Sequence, residues 1–390
     1  MIIAALCGIG AGFVTGVTPG VHVNLVASLL VASVPFVPFD STSIVVFIIA
    51  MATMHTFVDI VPSIFLGAPD SATALGVLPG HRYVLRGNGL MAVKLSTIGA
   101  LGGLLCGFAS FLAFRELTVL FDRISPAVLG WVLLALPLIM WLRDKKKIAA
   151  GCIVVFASVY GFLGFRYPDP LFPMLSGMFG AATMLYSFYE NTTVPEQQIL
   201  PYTELRWADV LRALAGGVFA GGLTAVLPGV GAAHAAVFGM LLAIGTGDHG
   251  FLVLTGAIGT VNFFLGLAAY DAIGKARSGA LLAATTVSPS LSLQTAFGAA
   301  LFAGGVGVIT TLWLGKVACR ALNRVPYRLV SVGVLVLVTS LVLLLSGWEG
   351  LLLYVTGTAI GLIPAVTKAQ RAHAMSCILV PVSLRFLGIG

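Results

Sequence analysis

The opening apolar segment of this chain, residues 2–38, is broken at its centre by "GFVTGVTPGVHVNL" (12–25). Proline has no backbone donor and clashes with the preceding turn, and glycine adds backbone freedom, so Pro19-Gly20 interrupts any helix placed there. The interruption frees N–H and C=O groups. In lipid, such groups survive only when buried in protein or lining a wet cavity. A wholly helical segment of this length would run about 55 Å, against a hydrocarbon core of about 30 Å. A hairpin that enters and returns, with Pro19-Gly20 at its tip, fits better than a single crossing.

A bilayer is the only solvent that suits the rest of the chain. Of 390 residues, 59% are hydrophobic and 9% charged, whereas soluble domains carry roughly 25% charged residues. The apolar runs are about 20 residues long and lack period-2 alternation, which predicts helices rather than a barrel. The 47 glycines suit helices that pack closely in lipid. The five cysteines are far apart with no metal or redox spacing. The net charge of +7 sits mostly in short loops, where orientation rules explain it without nucleic acid. The expected location is the cell membrane, crossed many times. The sequence leaves a homodimer open.

The opening segment has a copy. "GIGAGFVTGVTPGV" (8–21) aligns without gaps to "GVFAGGLTAVLPGV" (217–230), matching Gly8/Gly217, Gly12/Gly221, Thr15/Thr224, Pro19/Pro228 and Gly20/Gly229. This predicts an internal repeat: residues 1–190, a polar linker at 191–207, and residues 208–390. In the first half, helices are expected near 43–66, 95–114, 127–142, 148–165 and 170–189. In the second, a broken segment (208–245) precedes helices near 250–270, 280–301, 303–319, 329–346, 350–366 and 374–388. If each broken segment re-enters, parity makes the halves inverted repeats, as in secondary transporters. The expected fold is therefore all-α and polytopic, with two inverted repeats, each opening on a re-entrant hairpin. The basic loop "RDKKK" (143–147) argues for a cytoplasmic face. With this helix count, the basic segment at Lys316, Arg320, Arg324 and Arg328 would face the other side.

Two breaks meeting near the midplane would present half-helix N-termini suited to an anion. Thr15, Pro19, Gly20, His22 and Asn24 surround the first; Thr224, Pro228, Gly229, Gly231 and His234 surround the second. The plainer alternative is two kinks packed in a dry core. His55 and Asp59 lie four apart on the second helix, hence on one face. An aspartate inside a span costs about 2.5–3.5 kcal/mol on insertion scales and usually faces a pathway or a partner. The pair is a candidate for coupling to a proton or sodium gradient, or else a buried structural pair. Asn262 stands at comparable depth in the second half. Asp70 and Ser71 either extend toward the site or cap a helix. Arg82 and Arg86, echoed by Lys275 and Arg277, attract anions at an entrance or touch lipid headgroups. No nucleophile–base triad, metal spacing or P-loop occurs, so neither an enzyme nor an ATP-driven pump is expected, and no resident cofactor.

Three stretches carry a family resemblance: "TGVTPGVHVNLVASLL" (15–30), "IFLGAPDSATALGVLPGHRYVLRGNGLMAVKLSTIGALGG" (64–103) and "TAVLPGVGAAHAAVFG" (224–239). They resemble the large membrane subunit of tripartite tricarboxylate transporters, the TctA type, and particularly its shorter archaeal relatives. The resemblance implies a secondary transporter of small carboxylate anions driven by a proton or sodium gradient. It also implies a small membrane subunit and an extracytoplasmic binding protein as partners. The run "PGVGAAHAAVFG" is also similar to the paired motifs of polyprenyl-phosphate translocases, which makes a lipid-carrier flippase the alternative.

Overall fold

Helix starts and stops follow local chemistry. Asp40 caps the first long helix, its Oδ2 accepting the Ser43 amide at 2.9 Å. That helix ends at Val58 because Pro62, four residues on, has no amide to give the Val58 carbonyl; Asp59 occupies the break and a six-residue helix follows. Ser278 and Ser292 cap two later helices in the same way as Asp40.

The computed structural model describes residues 1–18, 23–34, 39–66, 77–121, 123, 125–168, 170–189, 194–199, 206–226, 236, 239, 245–276 and 278–389. The described residues are helical, with no strand. The first half holds α1 (Ile2–Val17), α2 (Val23–Ser33), α3 (Ser41–Val58), α4 (Ile60–Phe65), α5 (Val77–Leu85), α6 (Gly89–Ala109), α7 (Phe111–Phe121), α8 (Pro126–Arg143), α9 (Lys147–Gly164) and α10 (Leu171–Tyr189). A π-helical stretch, Ser176–Ala181, interrupts α10. The second half holds α11 (Trp207–Val226), α12 (Gly247–Ile273), α13 (Gly279–Val287), α14 (Leu293–Leu322), α15 (Tyr327–Thr367), a 3-10 turn (Arg371–Met375) and α16 (Ser376–Phe386). Among the described residues, eight helices are long and apolar enough to cross a membrane.

Two helix pairs share one packing pattern. Gly8, Gly12 and Gly16 let α1 lie directly on α3: any side chain there would overlap the Phe47 carbonyl, Met51 and Met54, or Val58 respectively. Gly217 and Gly221 let α11 approach α12 in the same way, against Leu254 and Ala257, then Ile258 and Val261. Small residues at such crossings are the usual device where lipid offers no hydrophobic drive between helices. In both pairs the contacts advance in the same direction along the two helices, so α1 runs parallel to α3, and α11 to α12. The chain therefore returns to its starting level between Val17 and Ser41.

The two halves interlock. Gly99 and Gly103 of α6 press on the backbone of Val253 and Ala257 in α12, another parallel pair. By contrast, Gly304 of α14 meets Leu104 of α6 while Gly315 meets Leu90 and Val93, so α6 and α14 run antiparallel. One body is built from α1–α7 with α11–α14, and a second from α8–α10 with α15, the 3-10 turn and α16. In the second body each half again grips the other: Gly161 of α9 abuts Cys377 of α16, and Gly361 of α15 abuts Met178 of α10. Among the described residues, α5 meets the π-helical stretch at the seam between the bodies, and Leu66 packs there against the cluster of Ala181, Val334, Val338, Val342 and Tyr354.

Several expectations need correction. The helices expected at 280–301 and 303–319 are instead the short α13 and the single 30-residue α14. The run at 95–114 is α6, starting earlier at Gly89, followed after Ser110 by a separate α7. The pair at 329–346 and 350–366 is present as the two arms of α15, which fold back at Gly347 (φ 63°). Thr339 Oγ1 reaches Tyr354 Oη at 3.4 Å, impossible across fifteen residues of straight helix, which would span about 22 Å.

With one helix fewer than expected, the basic segments share an end. Lys146 donates to the Thr367 carbonyl, which places "RDKKK" beside the end of α15. The fold-back brings Tyr327, and with it Arg320, Arg324 and Arg328, to that same end. Asp144 fixes this corner, accepting from the Lys146 amide at 2.8 Å, His373 Nε2 at 2.7 Å and the Gln370 amide at 3.3 Å. Burial opposes its ionisation, but these three donors together hold the carboxyl below the usual carboxylate range. The described part of the linker, 194–199, is clasped rather than loose. Gln197 Oε1 accepts the Gly89 amide at 3.0 Å, Nε2 donates to the Val84 carbonyl at 2.8 Å, and its own amide donates to Asn323 Oδ1 at 2.6 Å.

Gly12→Val should destabilise the protein by about 1–3 kcal/mol through overpacking, read as a lower thermal midpoint in detergent. Gly10→Val, where no atom lies within 4 Å, should leave the midpoint unchanged.

Candidate functional site

Each half builds one polar pair at the same place. In the first, Thr15 Oγ1 of α1 lies 3.0 Å from His55 Nδ1 of α3. In the second, Thr224 Oγ1 of α11 lies 3.0 Å from the Asn262 side-chain amide of α12. Both threonines also return a hydrogen bond to their own helix, to the Gly12 carbonyl at 3.2 Å and the Gly221 carbonyl at 2.7 Å. Carrying the glycine register along α3 and α12 maps His55 onto Asn262 and Asp59 onto Gly266. Sequence matching found the two threonines, but the correspondence of His55 with Asn262 needed the helix packing.

The pairs sit near the centres of their spans and close to one another. His55 is near the middle of Ser41–Phe65 and Asn262 near the middle of Gly247–Ile273. Gly259 of α12 abuts the Thr56 methyl of α3, so each pair lies within about one turn, 5.4 Å of rise, of the crossing. His55 and Asp59 are 6% and 8% exposed, and Thr15 and Thr224 are buried. Asp59 stands in the break between α3 and α4, where its Oδ1 accepts from Ser63 Oγ at 3.3 Å and its amide donates to the His55 carbonyl at 2.9 Å. A buried carboxylate at a helix break is placed to meet freed backbone groups and a small cation or proton.

The remaining sequence candidates divide into those placed and those not. Pro19, Gly20, His22, Asp70, Ser71, Pro228, Gly229, Gly231, His234 and Arg277 lie outside the described residues, as does the side chain of Asn24. Of the basic group, Arg82 pairs with Asp248 at 2.9 Å, joining α5 to the start of α12; it is a half-exposed tie at the seam rather than an isolated charge. Arg86 is exposed near this end, while Lys275 is exposed beyond the far end of α12.

Two interlocked halves with eight helices long and apolar enough to cross a membrane define an integral membrane protein. The chain matches the Tripartite tricarboxylate transporter TctA family over residues 2–376, and it belongs to that family. Members are transporters rather than enzymes, and form the large subunit of tripartite systems with a small membrane subunit and a binding protein. The chain is also similar to an uncharacterized protein, MJ1079, of Methanocaldococcus jannaschii, with 23% identity over 397 residues and 98% of each chain covered. No solved structure matches. The family match supports the carboxylate reading and lends no support to the lipid-carrier alternative.

Thr15→Val removes the hydroxyl opposite His55 and should cost about 1 kcal/mol, with Thr15→Ser recovering the wild-type thermal midpoint. Equal midpoints for all three proteins would show that this hydrogen bond contributes nothing.

Proposed function

We propose that this chain carries a small, tricarboxylate-like organic anion across the membrane, coupled to a proton or sodium gradient, at a site between its two broken hairpins. The observation that carries the proposal is the matched pair of polar contacts, Thr15–His55 and Thr224–Asn262, flanking the mid-depth crossing of α3 and α12. Each threonine stands just before a Pro-Gly step. In this reading Pro19–Asn24 and Pro228–His234 form the tips. The N-terminal end of α2 offers amides to a carboxylate, and the carbonyl end of α1 faces the coupling ion.

The two halves, 1–190 and 208–390, act as inverted repeats. Support comes from α1 with α3 and α11 with α12 running parallel, while the corresponding helices α6 and α14 run antiparallel. Movement of the body bearing the hairpins against the other would expose the site to each side in turn, with the narrow seam along α5 as the sliding surface.

Asp59 is the coupling group in this mechanism. It titrates or binds the cation at the α3–α4 break, and Ser63 orients its carboxyl. His55 and Thr15 transmit the change to the first hairpin. The register maps Asp59 onto Gly266, so the acid acts from one half only. Reconstituted with its partner subunits, the wild-type protein should accumulate labelled citrate or a related carboxylate when a pH or sodium gradient is imposed. Asp59→Asn should lose gradient-driven uptake by at least tenfold while keeping substrate exchange. Unchanged gradient dependence in this variant rejects the coupling role, and no uptake of any carboxylate by the wild type rejects the substrate class.

The shared basic end is the cytoplasmic one in this reading, since Lys and Arg crowd it from both halves. A cysteine at Lys145 should react with an impermeant maleimide in inverted vesicles and not in intact cells. The opposite result would turn the molecule over.

A further inference from the structure

Arg371 opens the 3-10 turn that follows α15, and its position is electrostatically incomplete. The side chain is mostly buried at the basic end, where the second body meets α5 of the first. Its Nη1 donates to Thr183 Oγ1 of α10 at 2.7 Å. The Thr183 hydroxyl gives its own proton to the Phe179 carbonyl, so it is a neutral acceptor with nothing further to offer the cation. Tyr186 of α10, and His81 and Arg82 of α5, are the titratable groups near enough to act on it electrostatically.

Of these neighbours Tyr186 favours the cation, while His81 and Arg82 supply no counter-charge. Burial pushes His81 down to about 4, leaving a neutral imidazole that contacts the Ile64 carbonyl at 3.4 Å. Arg82 adds a second positive charge, already paired with Asp248. Among the described residues Arg371 has no ion pair. A buried guanidinium without a counter-ion is costly. Its planar fork has five N–H donors, and among the described residues one is used. The four that remain suit a carboxylate or a phosphate, which they can hold with two parallel hydrogen bonds.

We propose that Arg371, seated on Thr183, forms a second anion site at the seam between the two bodies, taking a single carboxylate or phosphate group. This site lies apart from the crossing of α3 and α12 and needs none of the residues assigned to transport there. Two sources share the required chemistry. One is a dissolved anion entering from the basic end, and the other is the headgroup of an acidic phospholipid wedged into the seam.

The test is thermal unfolding of the purified full chain in detergent, at constant pH and ionic strength, before and after delipidation. Inorganic phosphate, citrate or micellar phosphatidylglycerol is titrated against chloride. The wild type should gain about 3–5 °C, saturating with concentration. Arg371→Gln should lose that gain, whereas Arg143→Gln, at an exposed arginine near the same end, should keep it. A gain from phosphate or citrate assigns a dissolved anion, and a gain from phosphatidylglycerol alone assigns the headgroup. No gain with any of the three, or an equal gain in Arg371→Gln, overturns the proposal. Should Arg371→Gln fail to fold, Arg371→Lys keeps the charge but loses the fork. It should bind about tenfold more weakly, and equal affinity overturns the site. A Thr15→Val, Asn262→Ala double variant separates the two readings, because it should lose carboxylate uptake while retaining the gain that depends on Arg371.

Discussion

A backbone amide has no partner in a lipid core, and that constraint governs every irregular feature of this protein. Helices satisfy their own backbone, so a break is tolerable only where protein encloses it. The break at Asp59 is enclosed by α1 on one side and Ser63 on the other. The fold-back at Gly347 is the contrasting case. There the chain has reached the end of a crossing, nothing packs on the glycine, and its left-handed φ turns two long apolar arms against each other.

Close backbone approach is the second consequence. With lipid as apolar as leucine, helices gain little from merely touching, and association rests on fit. The glycine ladder on α1 and its copy on α11 provide that fit, and they also fix register. Because Gly12 seats on Met51 and Met54, Thr15 can only fall opposite His55. Because Gly221 seats on Ile258 and Val261, Thr224 can only fall opposite Asn262. The polar pairs at mid-depth are thus products of the packing. Each threonine also bonds its own preceding turn, a common arrangement in apolar helices that leaves the hydroxyl held and directional.

The parts of this fold legible in sequence were those marked by a change in chemistry. Pro-Gly steps in matched positions disclosed the repeat, and charges at 143–147 and 190–207 bounded the long helices. Where apolar residues ran on without interruption, length alone misled. Residues 280–319 hold enough hydrophobicity for two crossings, yet Pro289 and the Ser292 cap divide them into a nine-residue helix and a thirty-residue one. That miscount produced the apparent conflict between basic loops. Long-range partnerships were invisible for a different reason. Gln197 reads as part of a polar linker, and its burial against Val84, Gly89 and Asn323 follows only from the tertiary fold. Arg371 likewise carries no motif, and its contact with Thr183 follows only from the tertiary fold.

The α1–α3 and α11–α12 pairs are alike in glycine register and unequal in chemistry, and the inequality bears on the coupling proposed for Asp59. A molecule with two identical halves would present the same charge to an ion arriving with either half. Here the histidine and the carboxylate belong to α3 and the α3–α4 break, while the matching positions on α12 are an amide and a glycine. Asn262 cannot change charge, so the polar pair of the second half stays neutral. Gly266, the counterpart of Asp59, carries no side chain, and among the described residues a Cβ there would meet the Leu281 side chain in ordinary contact. In the proposed mechanism both halves contribute geometry to the mid-depth crossing, while among the four mapped positions only His55 and Asp59 can change charge.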